Sequence, residues 1–445
     1  MANSIEDQLS AFGVAQVLVL LKTPKATAAA SAKILSASLA ASVPVVASKV
    51  LRLIAEDVVS RLCKHFQTSE TSADTALASV KTRGKKGIGA KWFKKAQDET
   101  NPTPAARIYP NLRIMLGTVD RAGLDALVKS KDVADVIAPP VMSLIRPTSV
   151  TAAEAAVDFT WGIKQLKADK LHALGITGRG VIVGHLDTGL DGTHPALKNA
   201  IHAFAEFDDL GFEVVPTPAA FDSDEHGTHT AGTIAGRTIG GCAIGVAPEA
   251  KLASAIVIEG GSVIARILAG MDWVVGQQAR ILSMSLGIRG FTSDFLSLTQ
   301  ILRARGVLPI FAVGNEGAGT SRSPGNYAEA LSVGAMGEDK KVPEFSSSRL
   351  FVRPNDPIVP DLVAPGVAII SARPGGGYQE MDGTSMATPH IAGLAALLMS
   401  AESTKTIDDI EKAIFDSCKP LAGEAVERQN RGVPDAVKAL ALLRA

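Results

Sequence analysis

Short, almost wholly apolar runs mark the later two thirds of the chain: VIVGHL (181–186), LASAIVI (252–258), ILSMSL (281–286), VLPIFAVG (307–314) and ALSVGA (330–335). Longer stretches with helical spacing lie between some of them, such as Val263–Val275 and Ser293–Arg305. Strands that are apolar on both faces and alternate with helices predict a parallel sheet covered by helices on both sides, a doubly wound α/β fold. No internal repeat is evident. The earlier part is patterned differently. Gln16–Leu21 reads as a buried strand closed by Lys22 and Pro24. Ile34, Leu35 and Leu39, then Val50, Leu51 and Ile54, fall at helical spacing with Pro44 between them. A strand over Leu112–Thr118, a helix over Arg121–Ser130 and a strand over Val133–Ala138 follow. That content suits a small α+β, ferredoxin-like domain. Domains are therefore expected at 1–147 and 159–445, joined by a small, polar linker, TSVTAAEAAVD, at 148–158.

Length agrees with this division, since 445 residues exceed one small core. With 46% apolar and 20% charged residues, the chain can bury a core. Its 45 Lys+Arg balance 45 Asp+Glu, which argues against a protein built around nucleic-acid or membrane-surface charge. The balance is uneven along the chain: residues 1–150 carry 20 Lys+Arg and 12 Asp+Glu, and the remainder has the opposite excess. The basic stretch KTRGKKGIGAKWFKK (81–95) reads as a solvated loop, with a nucleic-acid or membrane contact as the sharper alternative. Three cysteines, Cys63, Cys242 and Cys418, are too few and too scattered for a disulfide framework. Ala11–Leu21 has the apolar character of a signal segment. It follows Glu6 and Asp7 with no Lys or Arg, the reverse of a secretory charge pattern. These features favour the cytoplasm over export. No apolar run is long enough to span a membrane.

Candidate chemistry sits at the ends of the apolar runs, where doubly wound sheets place their sites. Asp187 follows VIVGHL in Asp187-Thr188-Gly189, suited to orient a histidine or simply to cap a turn. His226 opens HGTHTAGTIAG, a glycine-rich helical stretch; His229, one turn on, reads as structural. An H-x-x-H metal pair lacks a third ligand and departs from the i, i+4 spacing of zinc helices. Asn315 ends VLPIFAVG, where its amide suits either a turn or donation to a developing oxyanion. Ser385, in Gly383-Thr384-Ser385-Met386-Ala387-Thr388-Pro389, stands at a helix N-terminus, in potential that favours an alkoxide; alone it is an ordinary cap serine. Each bland reading holds singly. Acid, base, amide donor and hydroxyl together on one parallel-sheet pattern do not look accidental.

The sequence resembles the subtilisin-like (subtilase) serine endopeptidases. The resemblance rests on DTGLDGTHP (187–195), HGTHTAGTIAG (226–236), SMSLG (283–287), AVGNEG (312–317) and GTSMATPHIAGLAALL (383–398), and covers about 159–443. It implies a subtilisin-like fold with Ser385 as nucleophile, His226 as base, Asp187 orienting it, and Asn315 with the Ser385 N–H holding the oxyanion. It also implies that extended peptides add to an edge formed by Ser285, Leu286 and Gly287, with Gly260 and Gly261 opposite. NLRIMLGTVDRAGLDALVKSKDVADVIAP (111–139) is similar to part of the family's inhibitory propeptide. The resemblance thus implies that Val141–Thr151 crosses the cleft, that the chain is cut between about 147 and 158, and that the N-terminal domain is an intramolecular inhibitor.

Some positions depart from the family. An Asp and an Asn that commonly bind calcium are replaced by Ala196 and Ile239, so the tight site is expected to be lost and no cofactor to be required. The resemblance places Arg322 near the floor of the pocket for the residue preceding the cut, where it reads as an exposed loop arginine or as a residue that narrows that pocket or favours acidic side chains. Cys242 reads as packing. A silent scaffold of the same fold is the competing expectation, with retention of all four chemical groups against it.

Overall fold

A computed structural model describes residues 4–22, 58, 61–67, 106–154, 158–259, 263–351, 353 and 356–445. The chain divides into two compact units, 1–139 and 140–445. Residues 140–147, expected with the N-terminal domain, belong to the larger one.

In the smaller unit, β1 (Ala15–Leu21), β2 (Ala106–Tyr109), β3 (Ile114–Val119) and β4 (Val133–Ile137) form an antiparallel sheet in the order β2-β3-β1-β4. A helix over Ile5–Phe12 starts at a Ser4–Asp7 capping box and ends at Gly13, whose φ of 73° favours glycine. A second helix, Arg121–Val128, is capped by Asp120, which accepts from the Gly123 N–H at 2.7 Å. Val17, Val19, Leu62, Met115 and Leu127 meet in the core. The helices expected over 34–54 and the basic stretch 81–95 lie outside the described residues.

The larger unit is built on a seven-stranded parallel sheet in the order β17 (Leu362–Pro365), β14 (Leu331–Met336), β12 (Leu308–Ala312), β10 (Ile281–Met284), β7 (Ile182–Asp187), β9 (Lys251–Ile256), β8 (Ile201–Glu206). The five apolar runs become β7 (Ile182–Asp187), β9 (Lys251–Ile256), β10 (Ile281–Met284), β12 (Leu308–Ala312) and β14 (Leu331–Met336). Sequence reading missed the two outermost strands. β8 (Ile201–Glu206) is only partly buried and carries His202 and Glu206 among its apolar residues, and β17 (Leu362–Pro365) is very short. Helices cover the sheet. The longest, Thr384–Ala401, is buried from Thr384 to Met399 and packs beside β14, β12 and β10. A helix apolar all round needs such a position. Burying Leu394 and Leu398 there contributes roughly 1.5–3 kcal/mol each.

Smaller strands complete the unit. β5 (Ser143–Leu144) pairs antiparallel with β11 (Leu286–Arg289), which also pairs with β13 (Arg322–Ser323). β6 (Ser149–Ala153) pairs antiparallel with β19 (Tyr378–Asp382), itself paired with β18 (Ile369–Ala372). Two short strands, β15 (Arg349–Leu350) and β16 (Ile358–Val359), pair with each other. The expected linker is therefore a strand over 149–153. Its small residues were legible as exposed but not as paired, because pairing uses only backbone groups.

Candidate active site

Parallel pairing of β7 with β9 and β10 carries Asp187 to the carboxyl edge of the sheet. The turn that follows requires glycine. Gly189 has φ 107°, and a Cβ there would stand 2.2 Å from the Phe221 carbonyl oxygen. A Cβ on Gly227 would stand 2.0 Å from the Gly189 oxygen, so the helix His226–Ala235 starts directly on this turn. Close approach of two backbones brings the imidazole to the carboxylate: His226 Nδ1 donates to Asp187 Oδ1 at 2.7 Å, with both side chains buried. The Thr188 N–H donates to the same oxygen at 2.8 Å. Thr188 Oγ1 donates to Asp222, which also accepts from the Thr228 N–H and hydroxyl and so anchors the start of the helix.

Burial opposes charge on both members of the pair, but their mutual attraction prevails. Against burial, the neighbouring His226 and its hydrogen bond hold the Asp187 carboxyl below the usual carboxylate range. Against burial of its own ring, the Asp187 carboxylate raises His226 above the usual imidazole value.

β12 delivers Asn315 through Gly314, whose φ is 121°. The Thr384 N–H and hydroxyl donate to Asn315 Oδ1 at 2.9 and 2.8 Å, so the amide nitrogen must face the cleft. There Nδ2 donates to the Arg146 carbonyl at 2.9 Å. Ser385 lies in the first turn of the long helix and donates from Oγ to the Ile145 carbonyl at 2.5 Å. Ser285 Oγ donates to the Ser385 carbonyl at 3.2 Å, tying the helix start to the strand edge. No bond joins Ser385 to His226, whose buried Nε2 has no hydrogen-bond partner among the described residues.

The residues that engage the amide and hydroxyl belong to the segment after Pro140. Leu144 and Ser143 sit opposite Leu286 and Gly287 in the antiparallel register, and the Ile145 N–H donates to the Ser285 carbonyl at 3.0 Å. The Arg146 guanidinium pairs with Asp224 at 3.1 Å. Ser143, Leu144, Ile145, Arg146 and Asp224 line a cavity of about 680 Å³ with Thr188, Glu259 and Val263. Gly260 and Gly261, expected opposite this edge, lie outside the described residues.

Residues 178–433, more than half of the chain, match the sequence profile of the Subtilase family. The chain belongs to the subtilase family. Members of that family are serine endopeptidases, and it supplies the α/β architecture seen here. M-protease of Shouchella clausii is 38% identical over 240 residues, 54% of this chain and 59% of the relative. Subtilisin Savinase of Lederbergia lenta is 38% identical over the same share of this chain and 83% of its own. The major intracellular serine protease of Bacillus subtilis is 38% identical over 251 residues, 75% of its length. The match thus spans 59% of M-protease, less than two thirds of that relative's length.

Two departures of this subtilase have a structural form. Arg322 is not an exposed loop residue. It is buried, donating from Nε to Glu316 at 2.9 Å and from Nη1 to Ser143 Oγ at 2.9 Å and the Gly287 carbonyl at 3.3 Å. Its neighbours Gly287 and Ser143 meet in the three-stranded sheet, a long-range pairing that loop composition does not reveal. Ala196 and Ile239, where the resemblance implies that calcium ligands are replaced, offer no side-chain oxygen. Ala196 is buried and its carbonyl accepts from the Arg237 N–H, while Ile239 exchanges backbone bonds with Cys242. The Arg237 guanidinium takes the carbonyls of Asn199, Ala235 and Ala250. A fixed cation already collects oxygens there. Cys242 packs in the main core, and His229 Nε2 bonds the Ile369 carbonyl at 2.8 Å. Sequence reading passed over His185, Asp222, Asp224 and Thr230. The one available signal was His185, a polar residue inside an otherwise apolar strand.

Proposed function

We propose that this subtilase is a serine endopeptidase that uses Ser385 as nucleophile, His226 as general base, Asp187 to orient the imidazolium, and Asn315 with the Ser385 N–H as the oxyanion site. Ser385 Oγ loses its proton to His226 Nε2 as it adds to the scissile carbonyl carbon. The C–O π pair moves onto the oxygen and is met by the Asn315 amide. Collapse expels the amine, which takes the proton from His226, and water repeats the sequence to release the acid. The observation that carries this reading is convergence. Asn315 Nδ2 and Ser385 Oγ reach consecutive carbonyls just after β5, while the buried His226 Nε2 has no hydrogen-bond partner among the described residues.

Substrates are read as extended or unfolded polypeptides that add to β11 as Ser143–Ile145 does, with Ser285, Leu286 and Gly287 supplying backbone groups. Gly260 and Gly261 are proposed to supply the facing edge. The same segment supports latency. Ser385 spends its hydroxyl proton on the Ile145 oxygen, whereas Asn315 grips the next carbonyl. Productive attack needs nucleophile and amide on one carbonyl, so neither bond is set for cleavage in this register. Pro147 then removes the N–H that a further strand residue would offer. We take the N-terminal domain to be an inhibitory propeptide whose connection occupies the cleft. Cleavage was expected between about 147 and 158, and the carbonyls held at the site, Ile145 and Arg146, stand just before that range. No tight calcium site and no required cofactor are proposed, given Ala196, Ile239 and Arg237. Among the described residues no helix is long and apolar enough to cross a membrane. We read the three scattered cysteines as fitting a reducing compartment such as the cytoplasm.

The test compares the wild-type full chain with Ser385→Ala for self-cleavage and casein hydrolysis. Loss of both in a folded variant is expected. Hydrolysis that survives the substitution overturns the reading.

A further inference from the structure

Behind Asp187 lies a buried polar chain that the proposed reaction does not require. His185 is on β7, two residues before Asp187, and its partners across the sheet and on the histidine helix are both hydroxyls. Nδ1 lies 2.9 Å from Ser254 Oγ and Nε2 lies 2.9 Å from Thr230 Oγ1. Thr230 Oγ1 in turn lies 3.2 Å from Asp187 Oδ2. All four side chains are buried.

The direction of these bonds follows from the acceptors. Asp187 Oδ1 has two donors, His226 Nδ1 and the Thr188 N–H, whereas the hydrogen bonds to Oδ2 come from Thr230. An anionic oxygen left buried without a donor is costly. Thr230 has one proton and three acceptors at 3.2 Å: Asp187 Oδ2 and the carbonyls of His226 and Gly227. Ordinary back-bonding within a helix would send the proton to a carbonyl. His185 Nε2 also lies 3.9 Å from Asp187 Oδ2, so a bare lone pair there would face the carboxylate, whereas an N–H faces it favourably. Nε2 therefore carries the proton and occupies a Thr230 lone pair. Ser254 donates to Nδ1, and the Thr230 hydroxyl is directed to the carboxylate. Burial pulls His185 down to about 4, against the pull of Asp187, so the ring is neutral where the enzyme works. The charged or titratable groups acting on it are Asp187 and His226.

We infer that His185 is a positioning residue: through Thr230 it fixes and stabilises the second carboxylate oxygen of Asp187, and so sets the orientation and basicity of His226. This rests on the triad assignment above. Asp187, deprived of that donor, holds the His226 imidazolium more tightly and less accurately. Thr230→Val, which removes the hydroxyl at nearly constant shape, is expected to lower kcat roughly tenfold with KM within about twofold. It should also move the acid limb of the kcat/KM profile up by about 0.5–1 pH unit. Thr230→Ser restores both. His185→Val, which frees Thr230 to bond its own helix, reproduces Thr230→Val, and the double variant is no worse than either single one because the residues act in series.

The measurements are made on enzyme prepared from the full chain with a chromogenic peptide, with Ser385→Ala alongside. Activity in Ser385→Ala refutes the triad itself, whatever the other variants do. With that control inactive, Thr230→Val showing an unmoved acid limb, or losses that add in the double variant, overturns the role of His185. The result that upholds it is a shifted limb, rescue by serine and no additivity. Thr230→Val and Thr230→Ser keep the test open if His185→Val does not fold.

Discussion

Asn315 can donate into the cleft because its other amide atom is committed to Thr384. Asn315→Ala removes the donor without disturbing the acid–imidazole pair. We expect kcat to fall about 100–1,000-fold with little change in KM, the cost known for the corresponding donor in a subtilisin. Steady-state kinetics checks it. The pair itself predicts a separation of two pH optima. Asp187 is held below its ordinary 3.8, so its contribution to stability is complete above that value and lost as pH falls through the depressed one. His226 is raised above 6.5, so its contribution is complete below 6.5 and lost as pH rises through the raised value. Stability from the pair is therefore greatest between about 4 and 6.5. With His226 as the proposed base, its ring must be neutral for catalysis, so kcat/KM is expected to climb only above 6.5. The stability difference between wild type and His226→Gln, read from thermal unfolding across pH, should be largest below 6.5, where kcat/KM is still low; a difference that grows above 6.5 would contradict the assignment.

At the scale of elements, the site depends on the contact between the turn after β7 and the start of the histidine helix. Gly227→Ala places a methyl 2.0 Å from the Gly189 oxygen. The helix must shift, costing about 1–3 kcal/mol, and a displacement near 1 Å lowers activity roughly 100-fold. Denaturant unfolding and kcat together check this. The same elements explain what sequence reading could reach. β7, β9, β10, β12 and β14 were legible because both faces are covered, and Asp187, His226, Asn315 and Ser385 because each follows such a run or opens a helix. β8 and β17 sit at the sheet's two edges; β8 is only partly buried and interrupted by His202 and Glu206, and β17 is buried but too short to stand out. β5 and β6 are held by backbone bonds to β11 and β19, distant in sequence, and their side chains give no sign of it. Arg322 escaped for the same reason: its partners Glu316, Ser143 and Gly287 come together only in the folded sheet.

For the whole molecule, the account joins a subtilase to a segment of its own chain lying in its cleft. We propose that stability here rests on a broad apolar core around the helix Thr384–Ala401 and on Arg237 gathering carbonyls rather than on a bound cation. A chelator should therefore leave the thermal midpoint within about 2 °C, whereas a tightly held calcium at 1,000 times its Kd contributes about 4.1 kcal/mol and its removal lowers the midpoint clearly. The central claim, that Ser385 is the nucleophile of this enzyme, is tested most directly by treating the self-processed full chain with a fluorophosphonate and locating the adduct by peptide mass spectrometry. The account predicts one adduct, on Ser385, absent from Ser385→Ala and lost when His226 is replaced. A folded, processed chain that carries no adduct, or carries it on another residue, would contradict it.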